Sequence, residues 1–196
     1  MSDKFRNKYR IPSTRLQNWD YSSNGYYFIT ICTKERKHNF GEIVDYKMKL
    51  SRIGEIAYKY WFEIPNHFSF VELDEFVVMP NYVHGILIIN NVFSHVETRH
   101  CLVSTTMNVT NTNKKINRFQ NQGKHTISSI IGSYKSICTK IVNKTQKNTL
   151  FGWQLRFYDH IIRNEYSLSK IRQYIRDNPL NWDNDRNNLQ DDLEYK

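Results

Sequence analysis

Two short segments that lie far apart in the sequence carry side chains that could do chemistry together. One contains Tyr174, followed one helical turn later by Asn178. The other contains His84, which stands two residues after Tyr82. A tyrosine hydroxyl can act as a covalent nucleophile, and an imidazole nitrogen and a carboxamide oxygen can both bind a divalent cation. The two segments together therefore predict a tyrosine nucleophile beside part of a metal site.

The segment around Tyr174 is predicted to be a helix over 167–177, and Pro179 would end it. At about 100° per residue, Tyr174 and Asn178 flank the apolar stripe of this helix. The phenol could then reach a site on a sheet and still be open to a substrate. The simpler interpretation is a packed tyrosine, followed by an asparagine that terminates a helix before proline.

The segment around His84 is predicted to be a strand over 82–89, in which successive side chains point to opposite faces. Tyr82 and His84 would therefore face one way, and Val83 and Gly85 the other. Two imidazoles at this spacing would converge on one cation, but a neutral phenol is a poor ligand. His84 is thus the one conventional ligand of the pair, and a structural histidine without metal is the alternative.

The rest of the sequence predicts the elements that would position these two segments. Aromatic and β-branched residues indicate strands at 26–33, 68–79, 82–89 and 153–162. Apolar residues at three- and four-residue steps indicate helices at 50–64 and 127–142. The order β-α-β-β-α-β-α predicts an α+β, ferredoxin-like split βαβ fold. It would have an antiparallel four-stranded sheet, helices on one face and an added C-terminal helix that carries Tyr174.

Length and composition favour a single domain over 1–196, because a chain of 196 residues can bury about 70% of its unfolded surface. From 90 to 124 the sequence is rich in Thr, Asn, Ser and Lys without periodicity, which predicts a flexible insertion. Cys32, Cys101 and Cys138 are scattered and odd in number, which favours a reducing compartment over a disulfide framework.

The chain's charge and hydropathy narrow the classes of partner. No run approaches the roughly 18 apolar residues of a membrane span, and the N-terminus lacks the apolar region of a signal peptide. We therefore expect a cytoplasmic protein without a membrane partner. A net charge of +9 and a pI near 9.4 predict a polyanionic partner. The 13 Tyr, 11 Phe and 4 Trp offer flat surfaces for unstacked bases, which favours nucleic acid.

Three segments, at 79–85, 153–165 and 174–179, resemble the REP-associated tyrosine transposases in residues, order and spacing. This family lies within the single-tyrosine, His-hydrophobic-His transposase superfamily. The segment at 26–33 also resembles the family's first strand. The similarity runs from about residue 10 to residue 182 and leaves the predicted insertion poorly covered.

Membership of this family would imply a ferredoxin-like enzyme that cleaves and rejoins single-stranded DNA near hairpins. The implied chemistry uses a 5′-phosphotyrosine intermediate and Mg²⁺ or Mn²⁺, without ATP. Carried over by position, Tyr174 corresponds to the nucleophile, His84 to the second histidine of the motif, and Asn178 to the polar ligand on the nucleophile's helix. The first histidine falls on Tyr82, where this chain departs from the family's pattern.

The departure at Tyr82 leaves three outcomes open. His84, Asn178 and water could hold the cation with reduced affinity, a nearby group such as Asp74 or His160 could compensate, or the chain could bind DNA hairpins without cleaving them. A fourth alternative is an RNA-binding module, because ferredoxin-like sheets with exposed aromatic residues also stack RNA bases. The aromatic sequence pattern of RNA-recognition domains is absent, which ranks this alternative last.

Basic residues near these segments are the predicted contacts to DNA phosphates. They are Arg10 and Arg15 before the first strand, Lys135 on the second helix, Arg156 and Arg163 around the fourth strand, and Arg172 and Arg176 beside Tyr174. The expected partner is single-stranded DNA that contains a hairpin. Related enzymes include monomers and dimers, so both a monomer and a homodimer remain open.

Overall fold

The computed structural model of the chain describes residues 15–16, 19–91, 125–146 and 151–188. The strands are β1 (Gly25–Cys32), β2 (Gly41–Val44), β3 (Lys47–Leu50), β4 (Val71–Met79), β5 (Tyr82–Ile89) and β6 (Tyr158–Ile162). The α-helices are α1 (Arg52–Phe62), α2 (Ile64–His67), α3 (Ile127–Thr145) and α4 (Glu165–Asp177). Two 3₁₀ helices cover Lys34–Arg36 and Pro179–Asn184.

Four of these strands form one antiparallel sheet in the order β4-β5-β1-β6. β1 is central, with β5 on one side and β6 on the other. The β4–β5 hairpin turns at Pro80 and Asn81, as the sequence predicts. This topology confirms the predicted α+β fold with a four-stranded antiparallel sheet.

One face of the sheet is covered by α1 and α3, which enclose the main core. Alternate residues of β1 point into this core, namely Tyr27, Ile29 and Ile31. Helix α1 begins where the Ser51 hydroxyl accepts a hydrogen bond from the Gly54 amide at 3.1 Å. Such a cap satisfies one of the amides that have no partner within the first helical turn.

The opposite face of the sheet is covered by α4. A second, smaller core lies between them and contains Phe28, Ile86, Ile162, Leu168 and Ile175. Burial of this apolar stripe leaves Tyr174 at the edge of the helix, above the sheet surface that carries His84. The predicted C-terminal helix on the sheet is thus present, while α1 and α3 share the other face.

Two ion pairs fasten α4 to β4. The Arg172 guanidinium donates to both carboxylate oxygens of Asp74, with contacts of 2.7 to 3.2 Å. Arg176 donates to Glu75, and its Nε lies 2.9 Å from Oε1. The two carboxylates occupy a β-bulge, where two residues of β4 stand opposite Ile86 alone. A bulge changes the direction of side chains along a strand, which brings both carboxylates to the helix.

Some predicted boundaries differ from the observed ones. The strand predicted at 153–162 is limited to β6, because Trp153 forms only an isolated bridge with Thr33. The Trp153 ring instead packs in the core, 5.3 Å from the ring of Phe40. The hairpin formed by β2 and β3 was not predicted.

The predicted insertion at 90–124 lies almost wholly outside the described residues, and so does Arg10. Only Asn90 and Asn91 of that insertion are described. Within the described ranges, no helix combines the length and apolar character needed to cross a membrane.

Candidate functional site

Tyr174 and His84 meet on the α4 face of the sheet. The Tyr174 hydroxyl oxygen lies 3.3 Å from Nε2 of His84, although the two residues are 90 positions apart. Tyr174 is 47% exposed, whereas His84 is 3% exposed. The phenol is therefore open to a substrate on one side and contacts a buried imidazole on the other.

The second ring nitrogen of His84 fixes the imidazole from the opposite side. Its Nδ1 lies 2.8 Å from the Thr30 hydroxyl on β1. Burial lowers the pKa of His84 to about 3, although the nearby Asp185 carboxylate acts in the opposite direction. The ring is therefore neutral at pH 7. In the tautomer that donates from Nδ1–H to the Thr30 hydroxyl, Nε2 accepts the hydrogen bond from the Tyr174 hydroxyl.

Tyr82 points into the same site and is fully buried. Its ring centroid lies 4.4 Å from that of His84. Its hydroxyl contacts both Oδ1 of Asn178 and Oδ2 of Asp185 as a donor. Burial, assisted by the Asp185 hydrogen bond, raises the pKa of Tyr82 far above its ordinary value, so the phenol stays neutral. A neutral phenol has one proton, which these two acceptors share.

Asn178 lies at the C-terminal end of α4, one turn after Tyr174. Its amide nitrogen donates to the Tyr174 carbonyl oxygen at 3.2 Å, which directs Oδ1 towards Tyr82. The side chain is more deeply placed than a residue at the edge of the stripe, because Asn178 is only 3% exposed. The helical spacing therefore places the Asn178 side chain beside Tyr82, deeper than the edge of the stripe where the sequence predicts it.

Asp185 is a site residue that sequence reasoning missed. It follows the 3₁₀ helix that begins at Pro179, and its Oδ1 accepts from the amide and the side chain of Asn187 at 2.7 and 2.9 Å. Its other oxygen is thus left for Tyr82. The polar sequence around Asp185 has no periodicity, and only its position shortly after the helix of Tyr174 could have suggested a role.

The two compensating residues suggested by the sequence lie elsewhere. The Asp74 carboxylate is bound by Arg172. His160 lies on β6 and pairs with Phe28 of β1. Strand β1 therefore separates His160 from β5, the strand of His84. A spacing of two strands places their backbones roughly 10 Å apart. The acidic group that contacts Tyr82 is Asp185.

The atoms predicted to bind Mg²⁺ or Mn²⁺ do not fit a cation in the arrangement described. Oδ1 of Asn178 is bonded to Tyr82, which is neutral. Within the described ranges, no three His, Cys, Asp or Glu side chains are grouped as a metal site. Binding would require the Tyr82 hydroxyl to release Asn178, so the cation remains a prediction.

A cleft of about 370 Å³ opens beside Tyr174 and His84. Its lining combines the aromatic residues Phe28 and Tyr158 with three arginines, which are Arg36, Arg156 and Arg186. This combination offers both a stacking surface and positive charge next to the tyrosine hydroxyl. Neither Arg36 nor Arg186 was among the residues predicted to contact DNA.

Arg15 makes extensive contacts within the protein. Its Nε donates to the Asp159 carboxylate at 2.8 Å, and its guanidinium also donates to Ser128. The guanidinium carbon lies 4.8 and 4.7 Å from the ring centroids of Tyr21 and Phe157. These contacts hold the segment before β1 against the main core, and they occupy donors that a phosphate would need.

Among the other residues predicted to contact DNA, three bind groups of the protein itself, one lines the cleft and one is exposed. Arg172 and Arg176 form the ion pairs that hold α4, and Lys135 donates to the Gln154 carbonyl oxygen at 2.5 Å. Arg156 lines the cleft, and Arg163 is exposed between β6 and α4. Contacts between any of these residues and DNA remain predictions.

The comparisons with known proteins agree with this architecture. No family model matches the sequence. An uncharacterized protein of Haemophilus influenzae is 35% identical over 175 residues, which cover 89% of this chain and 91% of that protein. The solved structure of a REP-associated tyrosine transposase bound to a REP hairpin matches with a TM-score of 0.53 and 16% identity. The match covers 87% of this chain and 74% of that chain.

A candidate transposase from Deinococcus radiodurans matches over 84% of this chain and 97% of its own, at 16% identity. Its TM-score of 0.43 is too low to support a conclusion about this chain. The match to the hairpin-bound transposase shows a shared fold, and the identity to the bacterial relative shows a shared family. The chain therefore belongs to the family of the Haemophilus influenzae protein and has the fold of the REP-associated tyrosine transposase.

Proposed function

We propose that this protein cleaves and rejoins single-stranded DNA as a transposase, with Tyr174 as the nucleophile. The observation that carries the proposal is the contact of 3.3 Å between the exposed Tyr174 hydroxyl and the buried Nε2 of His84. An exposed phenol held by a buried, neutral imidazole at the edge of a cleft has the geometry that covalent catalysis requires. A merely packed tyrosine would need neither the cleft nor the buried partner.

The proposed substrate is single-stranded DNA near a hairpin. A solved structure that shares this fold is that of a transposase bound to a REP hairpin. The net charge of +9 and the arginines at the cleft also favour a polyanion. Both observations support the same substrate class, and neither specifies the sequence that is cut.

The chemical step would follow from the position of Tyr174. Its hydroxyl oxygen attacks a phosphorus atom and forms a 5′-phosphotyrosyl bond, while the bond from phosphorus to the 3′-oxygen breaks. The proton that Tyr174 loses is balanced by the proton that the 3′-hydroxyl gains. Attack by another 3′-hydroxyl on the phosphotyrosyl bond reverses the step and joins two strands, so no ATP is required.

His84 would orient the nucleophile in this mechanism. An imidazole whose pKa is lowered to about 3 is a weak base, so it accepts a hydrogen bond from Tyr174 without ionising it. Thr30 holds the ring through Nδ1. Catalysis of phosphoryl transfer depends largely on such positioning and on charge stabilisation.

The family resemblance also implies Mg²⁺ or Mn²⁺, which would polarise a non-bridging phosphate oxygen when bound. His84 and Asn178 are the residues proposed to hold it, which would require Tyr82 to release Oδ1 of Asn178 and Tyr174 to release Nε2 of His84. The hydrogen bond from Tyr82 to Asn178 argues that such binding is weaker than with a histidine at this position. The steps described above are carried by residues of the chain and not by the cation.

A second candidate function is hairpin binding without cleavage. The observation in its favour is the full burial of Tyr82, whose hydroxyl contacts Asn178 and Asp185. This arrangement fills the space between the predicted ligands with a neutral group. Hairpin affinity without a covalent adduct would support this candidate, and formation of an adduct would refute it.

The RNA-binding alternative has less support. RNA-recognition domains stack bases on a sheet surface that is open to solvent. Here α4 covers that surface, and Phe28 is only 8% exposed. Direct competition between a DNA hairpin and single-stranded RNA would compare the two ligands.

The proposed function is tested by looking for a covalent complex. The protein is incubated with single-stranded DNA hairpins and Mg²⁺ or Mn²⁺, and the products are separated on a denaturing gel. We expect a protein–DNA adduct that Tyr174→Phe abolishes. Tyr166→Phe is the matched control, because Tyr166 lies on the same helix and is 69% exposed. Absence of an adduct across varied hairpins would contradict the proposal.

A further inference from the structure

The loop that follows β1 holds Arg36 in an unusual conformation. Glu35 and Arg36 have φ angles of 57° and 52°, both in the left-handed region. Residues other than glycine seldom adopt such angles, and two in succession need support from their surroundings. Backbone conformations of this kind concentrate at functional sites. Arg36 also lines the wall of the cleft beside Tyr174 and His84.

A buried hydrogen-bond network supplies this support. The side chain of Asn81, which is fully buried, donates to the Arg36 carbonyl oxygen at 3.1 Å and to the Asn187 carbonyl oxygen at 2.8 Å. The Arg36 guanidinium in turn donates to the side-chain oxygen of Asn187. Asn187 also donates to Asp185, which accepts from Tyr82. The network thus fixes Arg36 relative to the site that contains Tyr82.

A second arginine enters the cleft from the same segment. Arg186 lies between Asp185 and Asn187 and lines the cleft. Burial has the largest effect on the pKa of His84 and on the pKa of the Cys32 thiol, and the positive charge of Arg186 acts to lower both. The charge of Arg36 also acts to lower the pKa of the Cys32 thiol. Both arginines line the cleft that also contains His84 and Tyr174. A planar guanidinium matches the oxygen geometry of a phosphate and can bind two of its oxygens at once.

The cleft has the size and the surface for one nucleotide. Its volume of about 370 Å³ lies within the range of cavities that hold a single small ligand. The Tyr158 ring is 48% exposed and lies edge-on to Phe28 at 6.3 Å. An aromatic ring in this position can stack an unpaired base of any type. A base pair within a duplex would be too large for the same space.

We propose that Arg36 and Arg186 bind a backbone phosphate of single-stranded DNA in this cleft, and that Tyr158 stacks the attached base. The proposal rests on the proposed function, since it names the residues that would hold the strand beside Tyr174. It also gives a role to Asn81 and Asn187, which position Arg36. The site selects an unpaired nucleotide over a duplex.

The test is a salt titration of DNA binding, measured by fluorescence anisotropy. The probe is a fluorescein-labelled DNA hairpin with a single-stranded arm, and every variant is made in a Tyr174→Phe background so that no strand is cut. We expect Arg36→Gln and Arg186→Gln each to weaken binding about tenfold. Because both arginines bind the same phosphate, the double variant should reduce the slope of log K against log salt by about 0.7, the value for one phosphate contact on a single strand, and neither single variant should reduce it by more.

Two further variants make the test specific. Arg52→Gln removes the same charge from the exposed start of α1, on the other side of the sheet, and should change neither quantity. Tyr158→Ala should weaken binding of the single-stranded arm about tenfold and leave the salt slope unchanged, because stacking releases no counterions. A blunt duplex should bind equally to all variants.

The outcomes separate this proposal from the proposed function. The Tyr174→Phe protein could bind the probe while Arg36→Gln and Arg186→Gln bind it as tightly as Arg52→Gln does. That result would refute the phosphate site and leave the proposed function intact. If the Tyr174→Phe protein does not bind the probe, the phosphate site and the proposed function are both refuted. Arg36→Gln could disturb its loop, but Arg186 has no hydrogen bond or ion pair with any other described residue. Its substitution therefore tests the site without altering the fold.

Discussion

Tyr82 joins the two parts of the candidate site. Its hydroxyl contacts the side chain at the end of α4, which is Asn178, and also Asp185 in the segment that follows. The Asn178 side chain is buried, so its Oδ1 depends on the phenol for a hydrogen bond, whereas Asp185 is half-buried and also accepts from Asn187. At the scale of single residues, Tyr82 therefore contributes both to stability and to the chemistry that the site can perform.

Removal of the Tyr82 hydroxyl should destabilise the protein. Tyr82→Phe keeps the buried ring but leaves Asn178 and Asp185 without their shared donor, which costs about 1–3 kcal/mol. Urea unfolding followed by circular dichroism would measure the change in the free energy of unfolding. Tyr46→Phe is the control, because Tyr46 is 64% exposed and should show no change. Equal stability of the two variants would contradict the contacts assigned to Tyr82.

Replacement of Tyr82 by histidine should create a better cation site. Tyr82→His places a second imidazole beside His84 and frees Oδ1 of Asn178 from the phenol. We expect Mn²⁺ to bind this variant at least about tenfold more tightly than the unaltered protein, as a change of one ligand near a metal typically does. Isothermal titration calorimetry would measure both affinities, with Tyr82→Phe as the control. Tight Mn²⁺ binding by the unaltered protein would contradict the account.

At the scale of elements, the close packing of α1 on β5 depends on Gly85. A Cβ atom at this position would lie 2.3 Å from the Trp61 ring. We expect Gly85→Ala to lower the free energy of unfolding by about 1–3 kcal/mol through overpacking. Gly132→Ala on α3 is the matched control, because its Cβ would meet nothing within 4 Å. It should raise stability by about 0.5–1 kcal/mol. The opposite order of stabilities would refute this packing.

The position of α4 should depend on its ion pairs with the β4 bulge. Arg172→Gln removes the bonds to Asp74, which is 14% exposed, and should lower stability by up to about 1 kcal/mol. Hydrogen exchange of the α4 amides should become faster, and the yield of DNA adduct should fall because Tyr174 is held less firmly. Arg163→Gln, just before α4, should leave the exchange unchanged. Unaltered exchange in Arg172→Gln would show that apolar packing alone holds the helix.

The sequence predicts elements well where periodicity and local signals agree. Strand β5 has the predicted bounds, and α3 begins at the predicted residue, because both combine an apolar pattern with a clear start. The β2–β3 hairpin escaped prediction because its turn is formed by Asp45 and Tyr46. Both have positive φ, of 49° and 60°, without the glycine that usually marks such a turn.

The end of α4 shows a different limit. The helix ends at Asp177, and the sequence predicts this end from Pro179. Proline also suits the first position of a new helix, and here a 3₁₀ helix begins at this residue. That second helix returns the chain to the site and places Asp185 against Tyr82. The contact between Asp185 and Tyr82 depends on tertiary structure, so no local sequence pattern predicts it.

At the scale of the whole molecule, net charge is a guide to the partner but not to the contact residues. Within the described ranges, Arg15, Arg172 and Arg176 are all bound to carboxylates of the protein itself. Arginines near a motif therefore include many that hold the fold. Arg36 and Arg186 lie outside the motifs of the sequence. Only the folded structure shows that they line the cleft.

The pairing of Tyr174 with His84 could be anticipated because each lies on a strongly patterned element. The spacing on α4 and the alternation on β5 set the direction of both side chains, and the sheet topology brings those directions together. The contact of Asp185 with Tyr82 could not be anticipated, since it depends on where the chain runs after α4. The proximity of Tyr174, His84 and Asn178 was thus predictable, and the contact with Asp185 was not.

The most direct test of the central claim is to identify the residue that becomes attached to DNA. The adduct formed with a single-stranded hairpin is digested with protease and nuclease, and the modified peptide is sequenced by mass spectrometry. The account predicts a single modified peptide, with a 5′-phosphonucleotide on Tyr174. Attachment to another residue, such as Tyr158 or Tyr166, would contradict it.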